Sequence, residues 1–292
     1  MIDLKYPGTL AKLSKQLKNE IDKYCADKYD DGPRSHLGSS EIGHNCSKYL
    51  WLKFRWTFHK HHDGRQQRLF QRGHFEEPRF CGYLESVGFK VILFDEEAIA
   101  RGETDKGKMQ IRISACKGHF GGSIDGMAER EDFGKVLCEF KTKGTGKGFI
   151  ELKEKGCKAK APQHFSQQSI YGYKLGLKYS IYMAVNKNDD DLHIEVLELD
   201  HNLGADLERK AEMIIFSQEP PNGVSCSPAY FECSWCDAKD VCYSNAKPLV
   251  NCRSCKRCKP VEDAAWFCEH WQAIVPSKEA IFVACPEWES II

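Results

Sequence analysis

The sequence predicts a mixed α/β domain reaching to about residue 245, followed by a small module over residues 246–292 that depends on metal for its stability. Three observations predict it. Segments with apolar residues at helical spacing alternate with short runs of β-branched and aromatic residues. Glycine, proline and acidic clusters punctuate these runs at loop-like intervals. Nine of the fifteen cysteines, Cys226 to Cys285, crowd into the last quarter, where helix and strand signals fade. A composition that is 41% hydrophobic and 29% charged supports a packed core and excludes global disorder. No apolar run approaches the roughly 18 residues that a membrane span needs. The first residues lack the apolar centre of a secretory leader, so a cytoplasmic setting and reduced thiols are expected.

The elements follow in order. Leu10 to Tyr29 has helical spacing. Ser39, Ser40 and Glu41 read as a helix start leading into the aromatic-rich CSKYLWLKFRW, and Arg65 to Val87 forms a third helix. Lys90 to Phe94 and Gln110 to Ala115 read as strands. So does His119 to Ala128, interrupted by Gly121, Gly122 and Gly126. Val136 to Thr142 gives the strongest strand signal; the Gly/Lys-rich stretch after it reads as a loop, and Gln163 to Leu175 as a helix. Tyr179 to Asn186 and His193 to Leu199 make a strand pair across the acidic turn KNDDD. Leu203 to Phe216 is a closing helix, ended by Pro220 and Pro221.

The formal charge is zero, 42 basic against 42 acidic residues, but the charges segregate. Lys141 to Lys160 holds seven lysines against Glu151 and Glu154, and Lys247 to Lys259 holds five basic residues and no acid. Local basic faces, rather than net charge, steer a polyanion, so the balance does not exclude nucleic acid.

The chemistry concentrates in GGSIDGMAERED and GKVLCEFKTKG. Glu139 and Lys141 are two apart on one strand and so share a face, with Cys138 and Phe140 on the other. If the preceding strand pairs with this one, Asp125 approaches Glu139. Two carboxylates offer hard oxygen ligands for Mg²⁺ or Mn²⁺. A neighbouring lysine orients water or stabilises developing negative charge. That equipment suits metal-assisted phosphodiester hydrolysis. Upstream, Glu77 follows Gly73 by four residues in RGHFEEP; downstream, Gln167 and Tyr171 share a helix face at i, i+4.

The order G-x-x-x-E, G-x-I-D-G, E-F-K-T, Q-x-x-x-Y, over roughly Cys46 to Cys242, resembles the PD-(D/E)XK nuclease superfamily. Within it, the chain is similar to the RecB-like exonucleases, with lambda-exonuclease and YqaJ-type phage enzymes as relatives. The resemblance implies a restriction-endonuclease-like core, a mixed central sheet flanked by helices. It implies Mg²⁺ or Mn²⁺ bound by Glu77, Asp125 and Glu139, with His74 as a further candidate ligand. Lys141 would assist the attacking water, and Gln167 and Tyr171 would contact DNA near the site. The implied activity is a DNA exonuclease acting on single-stranded or resected ends in bacterial or phage recombination, repair or replication. The implied partners are DNA and a helicase, recombinase or single-strand-binding protein. A catalytically weak DNA-binding or protein-binding relative of the fold is the alternative reading.

The cysteines divide. Cys25, Cys81, Cys116, Cys138 and Cys157 are isolated and read as small core residues. Cys233, Cys236 and Cys242 follow C-x2-C-x5-C and lack a fourth ligand. Iron–sulfur members of the RecB-like group, including the AddB nuclease domain, carry one cysteine before the core and three after it. By that resemblance Cys46 joins the three to hold a [4Fe–4S] cluster, although zinc satisfies the same four thiolates. In the tail, Cys252 and Cys255 form one knuckle of a zinc ribbon, with Cys268 as third ligand and Cys285, or alternatively His270, as fourth. Cys226 and Cys258 are left over.

Overall fold

The computed structural model describes residues 8–30, 32–95, 99–101, 110–144, 146–244 and 246–292. Helix α1 (Thr9–Lys28) lies against α3 (Gly64–Ser86). Between them run β1 (Leu37–Gly38) and α2 (Ser47–Phe54), whose Leu50, Trp51, Leu52 and Phe54 are buried. A capping box starts α3: Asp63 accepts from the Gln66 backbone N–H at 2.7 Å, and the Gln66 side chain accepts from Asp63 N–H at 3.2 Å. The strands are β2 (Lys90–Ile92), β3 (Arg112–Ala115), β4 (Phe120–Ser123), β5 (Gly126–Arg130) and β6 (Gly134–Lys143). Then come α4 (Lys147–Lys160), α5 (Pro162–Leu175), β7 (Tyr179–Asn186), β8 (Leu192–Glu198) and α6 (His201–Phe216).

The central sheet runs β2-β5-β6-β7-β8 and is mixed, with only β6 and β7 parallel. A parallel neighbour demands a crossover, and α4 and α5 supply it. A second sheet, β1-β4-β3, stands beside it. The expected single strand from His119 to Ala128 is two strands in two sheets. The chain leaves β4 at Ser123 and enters β5 at Gly126, whose φ of 159° is extended. The two-residue switch sets Asp125 at the sheet boundary.

The Gly/Lys-rich stretch expected as a loop is helix α4. Phe149, Leu152 and Cys157 are buried from one face of it, against Phe165, Tyr182 and Ala184. Gly156, at φ 78°, kinks the helix, and the backbone approaches Glu195 closely enough that a Cβ there would meet Oε1 at 2.7 Å. The lysine content obscured an amphipathic pattern of ordinary quality.

The boundary expected at residue 245, itself outside the described residues, runs through a shared core. Strands β9 (Cys258–Pro260), β10 (Trp266–Cys268) and β11 (Ala273–Ile274) form a small antiparallel sheet. Cys255, Cys258, Trp266 and Ile281 join the same buried cluster as Trp51, Trp56 and Phe120. Arg55 of the segment after α2 is fully buried and donates to the carbonyls of Cys255 and Cys258, at 3.0 and 2.9 Å. Arg253 is buried among the rings of Phe54, Trp56 and Trp266, its guanidinium 4.3–4.6 Å from each centroid. Trp266 is buried, Trp288 half-buried, and Trp271 exposed. No helix among the described residues is long and apolar enough to cross a membrane.

Candidate active site

Strand β6 carries the site. Cys138 and Phe140 enter the apolar layer under α3, with Phe80, Cys81 and Leu84. Glu139 and Lys141 therefore face the other way, toward α5. Glu139 is 0% exposed. Neither of its carboxylate oxygens has a hydrogen bond, and its charged contact is the ammonium of Lys141. Burial pushes the Glu139 carboxyl up, to about 7, against the pull of Lys141. Burial opposes the charge on Lys141, but Glu139 and Asp125 outweigh it, so the ammonium holds its proton more tightly than usual. Lys141 is therefore a fixed cation at neutral pH.

Asp125 is half-buried, and its Oδ2 accepts from the backbone N–H of Phe140 at 2.7 Å. That bond ties the sheet switch to β6 one residue after Glu139. Glu77, from α3, completes the group. Its carboxyl is raised by burial and by the charge of Asp125, and His74 Nδ1 lies 3.2 Å from its Oε1. Three carboxyl groups from three separate segments thus feel one another's charge. His74, Glu77, Phe140 and Lys141 line an open cleft of about 840 Å³, whose walls also carry Arg34, Lys53, Lys60 and Lys187. Asp30 and Glu41 share these walls, Lys53 is paired with Glu41 and Lys60 with Asp237, and Glu77 is the site carboxylate that lines the cleft.

Gln167 and Tyr171 lie on the buried face of α5, at 7% and 2% exposure. The Tyr171 hydroxyl donates to the Ser123 carbonyl at 2.8 Å and also hydrogen-bonds Gln167. Gly122 makes room for it, since a Cβ there would sit 2.6 Å from that hydroxyl. These two residues brace the end of β4, two residues before Asp125.

The cysteines of the first group lie in one region of the fold. Cys46 caps the N-terminus of α2, its Sγ accepting from Tyr49 N–H at 3.4 Å. Across nearly two hundred residues it comes within charge range of Cys233 and Cys236, and all of Cys46, Cys233 and Cys242 act on Tyr243. Tyr243 O–H donates to Cys233 Sγ at 3.1 Å. Asn45 donates to Glu232 at 3.2 Å and fixes the same junction.

In the tail, Cys252, Cys255, Cys268 and Cys285 likewise influence one another. Cys258, expected as a spare, faces Cys268 across β9 and β10 and lies beside the same group. His270 is exposed, with its Nδ1 3.1 Å from Arg257. Cys226 is exposed, and all fifteen cysteines are free. Sequence reasoning passed over Asp30, His59 and His61, whose ligand atoms lie within 4.8 Å of one another, with Asp30 and His59 lining the cleft. The run HKHHD was the signal available, but Asp30 lies far upstream in no recognisable spacing.

No protein-family model matches this sequence, and no curated protein matches it. Among solved structures, the chain is similar to an alkaline exonuclease, LHK-Exo, from Laribacter hongkongensis: 16% identity over 66% of this chain and 89% of that one, with a TM-score of 0.40. LHK-Exo in complex with dAMP matches at 18% identity, 66% and 89% coverage, and a TM-score of 0.38. The crystal structure of SSO0001 matches at 14% identity, over 80% of this chain and all of that one, with a TM-score of 0.39.

Proposed function

We propose that the chain is a divalent-cation-dependent deoxyribonuclease of the PD-(D/E)XK type, an exonuclease that trims DNA ends. One observation carries the reading. Glu139 is a fully buried carboxylate whose charged contact is the Lys141 ammonium, within charge range of Asp125 and Glu77, and directly behind a cleft lined by Glu77 and Lys141. Lys141 supplies one cation against three carboxyl groups, and a divalent cation would offset the remaining charge with an all-oxygen donor set. Glu77, Asp125 and Glu139 would hold Mg²⁺ or Mn²⁺, with His74 as an additional neighbour. When bound, the cation supplies Lewis-acid activation of water and neutralises charge on the scissile phosphate.

The protein's own residues do the rest. Asp125 is oriented through the Phe140 N–H. Lys141, held protonated by its acidic neighbours, offers a fixed positive charge where the pentavalent phosphate develops negative charge. Gln167 and Tyr171 keep β4 and Asp125 in register with β6. The basic cleft walls bind the phosphate backbone of DNA in a salt-dependent manner.

Cys46, Cys233, Cys236 and Cys242 would hold a [4Fe–4S] cluster, which staples the segment before the core to the segment after it. Cys252, Cys255, Cys268 and Cys285 would hold Zn²⁺. Recombination, repair or replication in a bacterial or phage-infected cytoplasm is the proposed setting, with a helicase, recombinase or single-strand-binding protein supplying opened ends.

The test is degradation of end-labelled linear single- and double-stranded DNA with Mg²⁺ or Mn²⁺. Wild-type protein should shorten it and a chelator should stop it. Asp125→Ala and Lys141→Ala should each lower the rate by roughly 10²-fold or more while DNA binding persists. Undiminished cleavage by either purified variant contradicts the assignment.

A further inference from the structure

We propose that Asp30, His59 and His61 form a second cation site, for a borderline transition metal of the zinc type, beside the cleft. Its ligands are separate from the three carboxylates and from every cysteine.

The donor geometry carries it. His61 Nδ1 lies 3.2 Å from Asp30 Oδ2, and His59 Nε2 lies 3.7 Å from the same oxygen. The three ligand atoms all fall within 4.8 Å of one another. Metal–nitrogen bonds of about 2.0–2.1 Å and metal–oxygen bonds of about 2.0–2.2 Å, arranged tetrahedrally, separate neighbouring ligand atoms by about 3.4 Å. The observed separations bracket that value, so small side-chain rotations close the site around an ion. Two imidazoles and a carboxylate select zinc and its neighbours over Mg²⁺, which prefers oxygen alone.

The surroundings favour a ligand rather than a simple ion pair. Gly32 N–H donates to Asp30 Oδ1 at 2.9 Å, which orients the carboxylate and leaves Oδ2 to the imidazoles. Lys60, between the two histidines in sequence, points away and pairs with Asp237 at 3.0 Å, so no ammonium fills the space. His62 packs edge-on against Phe70, outside the group. Three protein ligands leave a fourth position open. Asp30 and His59 line the same cleft as Glu77 and Lys141. The open position is therefore reached from the cleft, where it takes water or a phosphate oxygen of a bound polyanion.

The site stands whether or not the chain cleaves DNA, and its test reads metal alone. Full-length protein carrying Asp125→Ala, which removes the carboxylate site, is dialysed against buffered zinc, and bound zinc per chain is measured by atomic emission. The same measurement is made after adding His61→Ala or Asp30→Asn. The His61 side chain is 79% exposed, so its truncation leaves the core intact. Each added substitution should remove one further equivalent of zinc, with the cysteines unchanged throughout. Equal zinc content in the Asp125→Ala chain and in both double variants overturns the site.

Discussion

Glu139 shows how one side chain can mark a site. A strand position facing a helix ordinarily takes an apolar residue, and Tyr182 and Ala184 occupy the equivalent face of β7. A carboxylate there, paired with Lys141 and with a raised affinity for protons, marks a candidate site. Its supporting residues are as telling. Tyr171→Phe deletes the hydroxyl that donates to the Ser123 carbonyl and leaves that acceptor unpaired. The expected cost is about 1–2 kcal/mol, read from the urea midpoint, with a larger fractional loss of activity because Asp125 loses its brace. Activity that falls only in proportion to folded protein would show Tyr171 to be purely structural. The pairing of Glu139 with Lys141 was legible from alternation alone, because period two is a rigid rule. The bracing role of Tyr171 was not, because i, i+4 spacing fixes a helix face but not what that face meets.

At the scale of elements, most strand signals and the KNDDD turn survived, while the Gly/Lys-rich stretch read as a loop did not. β6, β7, β8, α5 and α6 lie within a few residues of where hydrophobic periodicity sets them. Helix α4 was hidden because lysines on its exposed face outnumber the three residues that bury it. The break between β4 and β5 was signalled by glycines, but the change of sheet is a tertiary fact. His119, the residue before β4, ties this region to the tail. Its ring packs edge-on against Phe54 and Trp266, and its Nε2–H donates to the Val261 carbonyl at 2.9 Å. Burial lowers its pKa to about 4 from the usual 6.5. The unfolded chain thus takes up this proton first, so the contribution to stability is complete above pH 6.5. It is lost as the pH falls toward 4. The melting temperature should decline over that window, and His119→Gln should decline less steeply. Identical pH profiles for the two would remove His119 from the account.

At the scale of the molecule, the ends of the chain are drawn together twice. Cys46 comes within charge range of Cys236 in the 233–242 segment, and Arg55 and Arg253 knit α2 to the tail. The cysteine spacing made the grouping readable, while the burial of the tail within the main core came from aromatic and arginine contacts that no motif encodes. If the first group holds a cluster, Cys46→Ser should bleach the visible thiolate-to-iron absorption and lower the melting temperature. A colourless wild-type protein that contains only zinc would replace iron in this picture. The proposed function makes one demand above the rest: cleavage of phosphodiester bonds must depend on the Glu139 carboxylate. The most direct measurement is cleavage of end-labelled DNA by Glu139→Gln, which keeps the volume of the side chain and removes its charge. The account predicts that cleavage in Mg²⁺ or Mn²⁺ is lost while DNA binding remains; a variant that cleaves at the wild-type rate would contradict it.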